Sequence, residues 1–228
     1  MNTLRVIGDV HAQIEVDDLL KRGGRPYLEL IAGAEYSVQI GDMGDGLAYD
    51  QLRAHVDPAR HRFFPGNHDH YDRLPPHALG DFGLVSFGGV EFFFVRGAES
   101  SDREKLVRLG RELGKTLWHE QEQLTAEQMQ VAEQAYWAAR PNIMLTHDAP
   151  TEIARTVWST IPPDRRAGEI FRPSRTNQFL ARLFEIHEPR LWLFGHHHRD
   201  WRERVGSTLF VCVGELSVVE ISAEAQIL

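Results

Sequence analysis

The chain has 228 residues, of which 42% are hydrophobic and 25% are charged, and its 25 basic and 33 acidic residues give a formal net charge of −8. This composition predicts a soluble globular protein with one domain, which we expect to span residues 1–228. The acidic balance argues against long nucleic acid as a partner, because such binding depends on Lys and Arg, but it does not exclude a small phosphate substrate.

Short apolar runs alternate with helical patterns in the first part of the chain. Strands are predicted at residues 4–7, 36–40 and 63–64, and as a hairpin at 84–87 and 90–95 around Gly88-Gly89. Helices are predicted at residues 14–21, with Gly23-Gly24 as the end signal, and at 47–56.

The segment from about residue 101 to 140 is charged, rich in glutamine and helical in pattern. Thr125 and Gln128 fit a capping box, and Pro141 ends the second of two predicted helices. We expect this helical insert to lie outside the sheet core. It is a candidate for choosing the substrate, because insertions on a fixed scaffold set specificity. A solvated amphipathic cover with a structural role only is the favoured interpretation.

The rest of the chain contains a loop with Pro and Arg residues at 162–173, a helix at 177–186 and several strands. These strands are predicted at residues 143–145, 191–194, 201–205, 209–213 and 218–221. Alternating strands and helices, followed by consecutive strands, predict an α/β architecture with mixed sheets.

Five polar blocks each follow a predicted strand. They are Gly8-Asp9-Val10-His11, Gly41-Asp42-Met43-Gly44-Asp45, Gly66-Asn67-His68-Asp69, Thr146-His147-Asp148 and Gly195-His196-His197-His198. Sites in open α/β sheets form beyond the carboxyl ends of strands, and glycine lets the backbone turn sharply there. One such block alone is more often a turn or a surface pair, whereas five in one chain indicate a functional site.

The residue types and their spacing favour metal binding. Asp9 and His11 are two positions apart, so in extended backbone both can face one ion. His196 and His198 have the same spacing, and His197 should point away. A carboxylate can bridge two cations, and a mixed nitrogen and oxygen set fits two transition-metal ions about 3.5–4 Å apart, an arrangement that supports displacement at phosphorus.

In this order, the five blocks resemble the motifs of the calcineurin-like metallophosphoesterase superfamily over residues 8–198. The resemblance implies an αββα sandwich of two mixed β-sheets flanked by helices, with a dinuclear metal site at the edge where strands end. The implied ligands of the first ion are Asp9, His11, Asp42 and His198. Asp42 would bridge to a second ion that is completed by Asn67, His147 and His196. His68 would lie near the scissile phosphate and act as general acid or stabilise charge, and Asp69 would orient His68.

Two positions depart from the motifs of the superfamily. Many of its phosphoprotein phosphatases continue the second block with Arg-Gly, and that Arg grips phosphate, whereas here Asp45 is followed by Gly46-Leu47. Ala12 stands where Gly often follows the first His. The missing Arg argues against a protein Ser/Thr phosphatase and leaves the metal ligands intact.

The resemblance and the ligand set together imply an enzyme. We expect a metal-dependent hydrolase that cleaves phosphate mono- or diesters by attack of a metal-bridging hydroxide, on a nucleotide or another small phosphoester. Its cofactors would be two divalent ions, with Mn favoured in vitro and Fe, Zn, Co, Ni or Mg as other candidates. The alternatives are a nuclease or phosphoprotein phosphatase, and a catalytically silent binding module of the same fold.

Substrate contacts are expected from Asn67, His68 and Arg96. Arg96 follows a predicted strand and could replace the missing Arg, although a salt bridge would explain it equally. Other candidates share a cationic or aromatic side chain near a predicted loop: Arg165, Arg166, Arg172 and Arg175 around the lone Glu169, and Tyr71, Trp118 and Trp158. For the two tryptophans, packing of the insert is the favoured interpretation.

The remaining features favour a cytoplasmic protein without a membrane partner. The single cysteine, Cys212, excludes an intrachain disulfide and lies in an apolar run typical of an inert buried thiol. The first residues become polar too soon for a signal peptide, and no stretch approaches the roughly 18 apolar residues of a membrane helix. The sequence leaves the oligomeric state open.

Overall fold

In the computed structural model, which describes residues 2–11, 27–44, 46–162 and 170–228, the strands form two β-sheets. The strands are β1 (Thr3–Ile7), β2 (Ser37–Gln39), β3 (His61–Phe63), β4 (Phe82–Phe87), β5 (Val90–Val95), β6 (Ile143–Thr146), β7 (Leu191–Phe194), β8 (Trp201–Val205), β9 (Thr208–Cys212) and β10 (Val218–Ser222). The helices are α1 (Tyr27–Ala32), α2 (Gly46–His55), α3 (Arg103–Leu113), α4 (Ala126–Ala139), α5 (Thr151–Ser159) and α6 (Arg175–Ile186), with 3₁₀ turns at Tyr71–Arg73 and Glu120–Glu122.

Both sheets are mixed. The four-stranded sheet has the order β10-β1-β2-β3, in which β1, β2 and β3 are parallel and β10 is antiparallel to β1. The six-stranded sheet has the order β4-β5-β6-β7-β9-β8, with a parallel centre and antiparallel edge strands β4 and β8. The carboxyl ends of the parallel strands therefore meet at one edge of the molecule.

Alternation of side chains along β5 shows how the layers are built. Phe92 and Phe94 are buried between the two sheets, whereas Phe93 and Val95 pack against helices on the other face. Because residues i and i+2 share a face, one apolar strand can be buried on both sides. The same pattern recurs in β7, where Leu193 faces the other sheet.

Helices cover both outer faces. Met129 of α4, Val157 of α5 and Leu183 of α6 pack on the six-stranded sheet, and Leu30 of α1 and Leu52 of α2 pack on the four-stranded sheet. The order is helix, sheet, sheet, helix, so the predicted αββα sandwich is confirmed. No helix in the described ranges is long and apolar enough to cross a membrane.

The predicted elements agree with the structure except at one strand and a few helices. The strand predicted at 63–64 overlaps β3 only at Phe63. The capping box of Thr125 and Gln128 is confirmed at the start of α4. Helices α1 and α5 were not predicted, and α6 begins two residues before its predicted start. Several predictions lie outside the described residues: the helix at 14–21 with Gly23-Gly24, and Ala12, Asp45, Arg165, Arg166 and Glu169.

Candidate metal centre

The five polar blocks converge at the edge where the parallel strands end. The first three follow β1, β2 and β3 of the four-stranded sheet, and the last two follow β6 and β7 of the six-stranded sheet. The site is therefore assembled from both layers of the sandwich.

One group of ligand atoms surrounds Asp9. The ligand atoms of Asp9, His11, Asp42 and His198 all lie within 4.8 Å of one another. Asp9 Oδ2 is 3.1 Å from His198 Nε2 and 3.7 Å from His11 Nε2. Because these imidazole nitrogens and carboxylate oxygens converge on one point, the group fits a single cation.

A second group surrounds His147, which is fully buried. Its ligand atoms, with those of Asp42 and His196, also lie within 4.8 Å of one another. His147 Nδ1 donates to the carbonyl oxygen of Ile40 at 2.9 Å, which directs Nε2 towards Asp42 Oδ1 at 3.3 Å and Asn67 Oδ1 at 3.1 Å. The hydrogen bond of one ring nitrogen thus fixes which nitrogen is offered to an ion.

Asp42 belongs to both groups. Its side chain is 1% exposed, and its Oδ1 accepts a hydrogen bond from the backbone N–H of His68 at 2.8 Å. Among the described residues, Oδ2 has no hydrogen-bond partner. A buried carboxylate oxygen without a donor is costly, and a cation would satisfy it, so the residues fit a bridged pair of ions.

The pKa values of Asp9 and His147 are shifted far from their usual values. Burial alone would raise the pKa of Asp9, but hydrogen bonds with His11 and His198 lower it far below its usual value. Burial would lower the pKa of His147, but the charge of Asp42 and the hydrogen bond to it raise it to about 10. The two buried carboxylates therefore demand positive charge, which a metal ion can supply instead of a proton.

His196 is held neutral. Burial, and the positive charges of neighbouring histidines, lower its pKa to about 4 although Asp148 opposes the shift. A neutral imidazole is the form that binds a metal ion.

Three positions require glycine because side-chain atoms of the ligand residues occupy the space that a Cβ would need. An added Cβ at Gly41 would lie 2.2 Å from His147 Nδ1, at Gly66 2.2 Å from Asp42 Oδ1, and at Gly195 2.3 Å from Asp9 Oδ1. Gly41 also has φ +106°. The sequence suggested these glycines for sharp turns, but the stronger reason is the space that the ligands occupy.

The backbone at the ligands differs from the extended form assumed from the spacing. His11, Asp42, His196 and His198 have φ between 49° and 67°, in the left-handed region. Such non-glycine residues cost about 1–3 kcal/mol each and cluster at functional sites. His196 and His198 belong to different ligand groups, so the extended geometry assumed for their spacing does not describe this pair.

His197 lies outside both ligand groups. Its Nε2 is 3.3 Å from Asp148 Oδ1, and its ring packs edge-on against Phe194. Asp148 is buried and accepts a hydrogen bond from Asn177 Nδ2 at 2.7 Å, which holds the loop after β6 against α6. No role for Asn177 was expected from the sequence.

His68 and Asp69 have separate environments. His68 is exposed, and its ring centroid is 5.5 Å from that of His11, at the rim of the site. Asp69 is buried, and its carboxylate accepts hydrogen bonds of 2.7–3.3 Å. The donors are the backbone N–H groups of Met43, Gly44 and Gly66 and the hydroxyl of Tyr49. These contacts tie two loops together, and none of these donors belongs to the ring of His68, which Asp69 was expected to orient.

Arg96 is buried and engaged inside the protein. Its guanidinium binds Asp81 Oδ1 and the carbonyl oxygen of Gln121, and it lies 4.7 Å from the centroid of the Tyr71 ring. Tyr71 in turn donates to the carbonyl oxygen of Gly66 at 2.6 Å. This arrangement favours the salt-bridge interpretation of Arg96 over a phosphate contact.

The other candidate substrate residues lie in the following places. Arg172 and Arg175 are exposed. Trp118 stacks under Arg103 at 4.1 Å, and Trp158 packs near Phe171. Cys212 is buried, and burial raises its pKa, as expected for an inert thiol.

Comparison with known proteins gives a family and a fold. A family model described as "Calcineurin-like phosphoesterase" matches residues 3–200. No curated protein matches significantly. A putative 5'-nucleotidase from Staphylococcus aureus, solved with alpha-ketoglutarate, aligns with TM-score 0.50 and 13% identity over 99% of this chain and 52% of its own.

Two further solved structures are similar at a lower score. The phosphopantetheinyl hydrolase of Mycobacterium tuberculosis aligns with TM-score 0.48 and 14% identity, over 93% of this chain and 89% of its own. Vps29 from Entamoeba histolytica, solved with zinc, aligns with TM-score 0.39 and 13% identity, over 96% of this chain and 85% of its own. At such identities the likenesses concern the fold alone.

Proposed function

Because the chain belongs to the calcineurin-like phosphoesterase family, we propose that it is a metal-dependent hydrolase of phosphate mono- or diesters. A nucleotide or another small phosphoester is the proposed substrate. The observation that carries this proposal is Asp42, a buried carboxylate shared by two groups of ligand atoms. The organisation we propose is one domain over residues 1–228 with a helical insert at about 101–140.

The proposed ligands follow from the two groups. Asp9, His11 and His198 would hold one ion, His147, His196 and Asn67 would hold the other, and Asp42 would bridge them. The mixed imidazole and carboxylate set suits Mn, Fe, Zn, Co or Ni, with Mg also possible. Two bound ions would supply an ionised water molecule near neutral pH and stabilise negative charge on the phosphoryl oxygens.

The chain's own residues would bind and protonate the ester. Asn67, whose side-chain oxygen lies 3.1 Å from His147 Nε2, would also contact the phosphoryl group. The exposed imidazole of His68 stands at the rim near His11 and would donate a proton to the departing alkoxide oxygen. Asp69 would keep His68 in place indirectly, by fixing the turn from Gly66 to Asp69.

The test is hydrolysis of p-nitrophenyl phosphate and bis-p-nitrophenyl phosphate with added Mn²⁺. Asp42→Asn should abolish turnover, and His68→Ala should lower kcat by about 10²–10⁴-fold with metal content unchanged, as expected for loss of a general acid. The matched controls are Asp50→Asn and His55→Ala on the exposed side of α2, which should keep wild-type rates. Unchanged turnover in Asp42→Asn would sink the proposal.

The ratio of the rates with p-nitrophenyl phosphate and bis-p-nitrophenyl phosphate would show whether the protein prefers monoesters or diesters. A panel of nucleotides would then be assayed. Cleavage of single-stranded DNA at a rate above that of the small esters would assign the chain to a nuclease instead. Metal content far below one ion per chain after Mn²⁺ loading would point to a silent binding module.

A further inference from the structure

We propose that Glu122, acting through Ser100, is a positioning residue that orients the amide of Asn67 and sets the affinity of the second ion. The proposal rests on the metal site proposed above. It assigns a role in the metal centre to the helical insert, because Glu122 lies in the 3₁₀ turn between α3 and α4.

A continuous chain of hydrogen bonds leads from Glu122 to the metal site. Glu122 Oε2 accepts from Ser100 Oγ at 2.6 Å, and Oε1 accepts from the backbone N–H of Ser100 at 3.1 Å. Asn67 Nδ2 donates to Ser100 Oγ at 3.1 Å. All three residues are buried, with exposed fractions of 2% for Glu122, 4% for Ser100 and 3% for Asn67.

The direction of these bonds decides which atom of Asn67 faces the ions. A carboxylate can only accept, so the Ser100 hydroxyl must donate to Glu122 and is left with lone pairs for an incoming donor. Only the NH₂ of Asn67 can serve as that donor, which turns its Oδ1 towards His147 Nε2. Without this anchor, the amide could rotate and present its NH₂ to a cation.

The hydrogen bonds from Ser100 favour the ionised carboxylate of Glu122. Burial raises the pKa of Glu122 overall, and the hydrogen bonds that its side chain accepts from Ser100 oppose that shift. Hydrogen bonds in series polarise one another, so the carboxylate increases the negative charge on Asn67 Oδ1. Partners of this kind behind a ligand commonly change metal affinity by about 10–100-fold.

The turn that carries Glu122 is fixed in place. Gly97 has φ +83°, and an added Cβ there would lie 2.0 Å from the carbonyl oxygen of Glu122. Arg96 donates to the carbonyl oxygen of the preceding residue, Gln121. The loop after β5 and the 3₁₀ turn are therefore in close contact, and Arg96 acts as a clamp between them.

The test is calorimetric titration of metal-free protein with Mn²⁺, together with electron paramagnetic resonance of the loaded protein. Glu122→Gln and Ser100→Ala should each lower the affinity for the second ion by about 10–100-fold and leave the affinity for the first ion within about twofold of wild type. The resonance of a coupled ion pair should give way to that of an isolated ion. The matched control is Glu120→Gln, an exposed carboxylate in the same 3₁₀ turn.

Asn67→Ala completes the design. If Glu122 acts through Asn67, the double variant Asn67→Ala/Glu122→Gln should bind the second ion no more weakly than Asn67→Ala alone. Wild-type affinity for the second ion in both Glu122→Gln and Ser100→Ala would overturn the proposal. An equal loss of affinity for both ions, together with a lowered Tm, would also overturn it, since that result indicates a general loss of structure. Fewer than two ions in wild-type protein would instead refute the metal site itself.

Discussion

The Nε2 atoms of His11 and His198 lie 2.8 Å apart, although 187 positions separate the two residues in the chain. Both nitrogens also approach Asp9 Oδ2. Without a cation, one of these imidazoles must donate a proton to the other. A bound ion would accept a lone pair from each, so ion binding and protonation compete at this point.

Mn²⁺ should therefore stabilise the protein, and less so at lower pH. At about 100 times its dissociation constant, an ion adds about 2.7 kcal/mol to the free energy of unfolding. Burial lowers the pKa of His11, but the hydrogen bond to Asp9 and the charge of Asp42 raise it above 6.5 overall. Protons should thus compete with the ion for His11 more strongly than they would for an ordinary histidine, and increasingly as pH falls.

Thermal unfolding with Mn²⁺ or with a chelator, measured between about pH 8 and pH 6, checks this expectation. His198→Ala should remove most of the Mn²⁺-dependent rise in Tm, and His55→Ala should retain it. A rise in Tm that does not depend on pH would contradict the competition.

Gly66→Ala should block the metal site, because its added Cβ would collide with two ligand atoms and with the backbone nitrogen of Asp42 at 2.6 Å. Its added Cβ would lie 2.2 Å from Asp42 Oδ1 and 2.5 Å from His147 Nε2. The matched control is Gly80→Ala, where φ is +103° but an added Cβ meets nothing within 4 Å. We expect Gly66→Ala to lose Mn²⁺ binding, and Gly80→Ala to lose about 1–3 kcal/mol of stability and keep both ions, as measured by metal content.

Asp69→Asn should mainly lower the free energy of unfolding and should affect proton donation by His68 less. The amide would replace one of the two acceptor oxygens by an NH₂, which would face either the N–H of Gly66 or the donors from Met43, Gly44 and Tyr49. A hydrogen bond to a charged group contributes about 1.5–3 kcal/mol. Urea unfolding of metal-free protein measures this loss. If instead stability were unchanged and only kcat fell to the level of His68→Ala, Asp69 would orient the His68 ring directly.

His61 should make the protein sensitive to acid. It is fully buried between the hydroxyls of Tyr27 and Ser37, and burial lowers its pKa to about 3. Because the folded-state pKa lies below the unfolded value of about 6.5, the unfolded chain takes up the proton first as pH falls. Stability should therefore decline from about pH 6.5 towards pH 3, by at most about 1.4 kcal/mol per pH unit from this residue.

Urea unfolding of metal-free protein at several pH values measures the slope. His61→Gln should give a shallower dependence than wild type in this window, although its stability at pH 7.5 will be lower. Parallel curves for the two proteins would show that His61 does not govern the acid sensitivity.

The sequence predicted the parts of the site that depend on residue type and strand position. Asp42 and His147 follow apolar runs, and strand ends meet at one edge, so their convergence was foreseeable. Helix α5 was missed because Pro150 precedes it and its N-terminus has no side-chain cap. Helix α6 was placed two residues late because the capping box of Ser174 and Asn177 was overlooked.

Other features depend on tertiary packing. The left-handed backbone of His196 and His198 cannot be derived from an i, i+2 spacing. The contact between Ser100 and Glu122 spans 22 residues and depends on how the insert folds back on the loop after β5. A deletion of the insert, intended to change substrate range only, would also remove Glu122 from Ser100.

The ligands of the proposed ion pair come from two separate sheets, with Asp42 on one and His147 on the other, 3.3 Å apart. A slip of one sheet over the other by a single ångström would separate them. The apolar layer between the sheets, including the stacked rings of Phe64 and Phe94, therefore sets the alignment of the site from a distance. Substitutions that merely resize this layer should alter ion spacing before they unfold the protein.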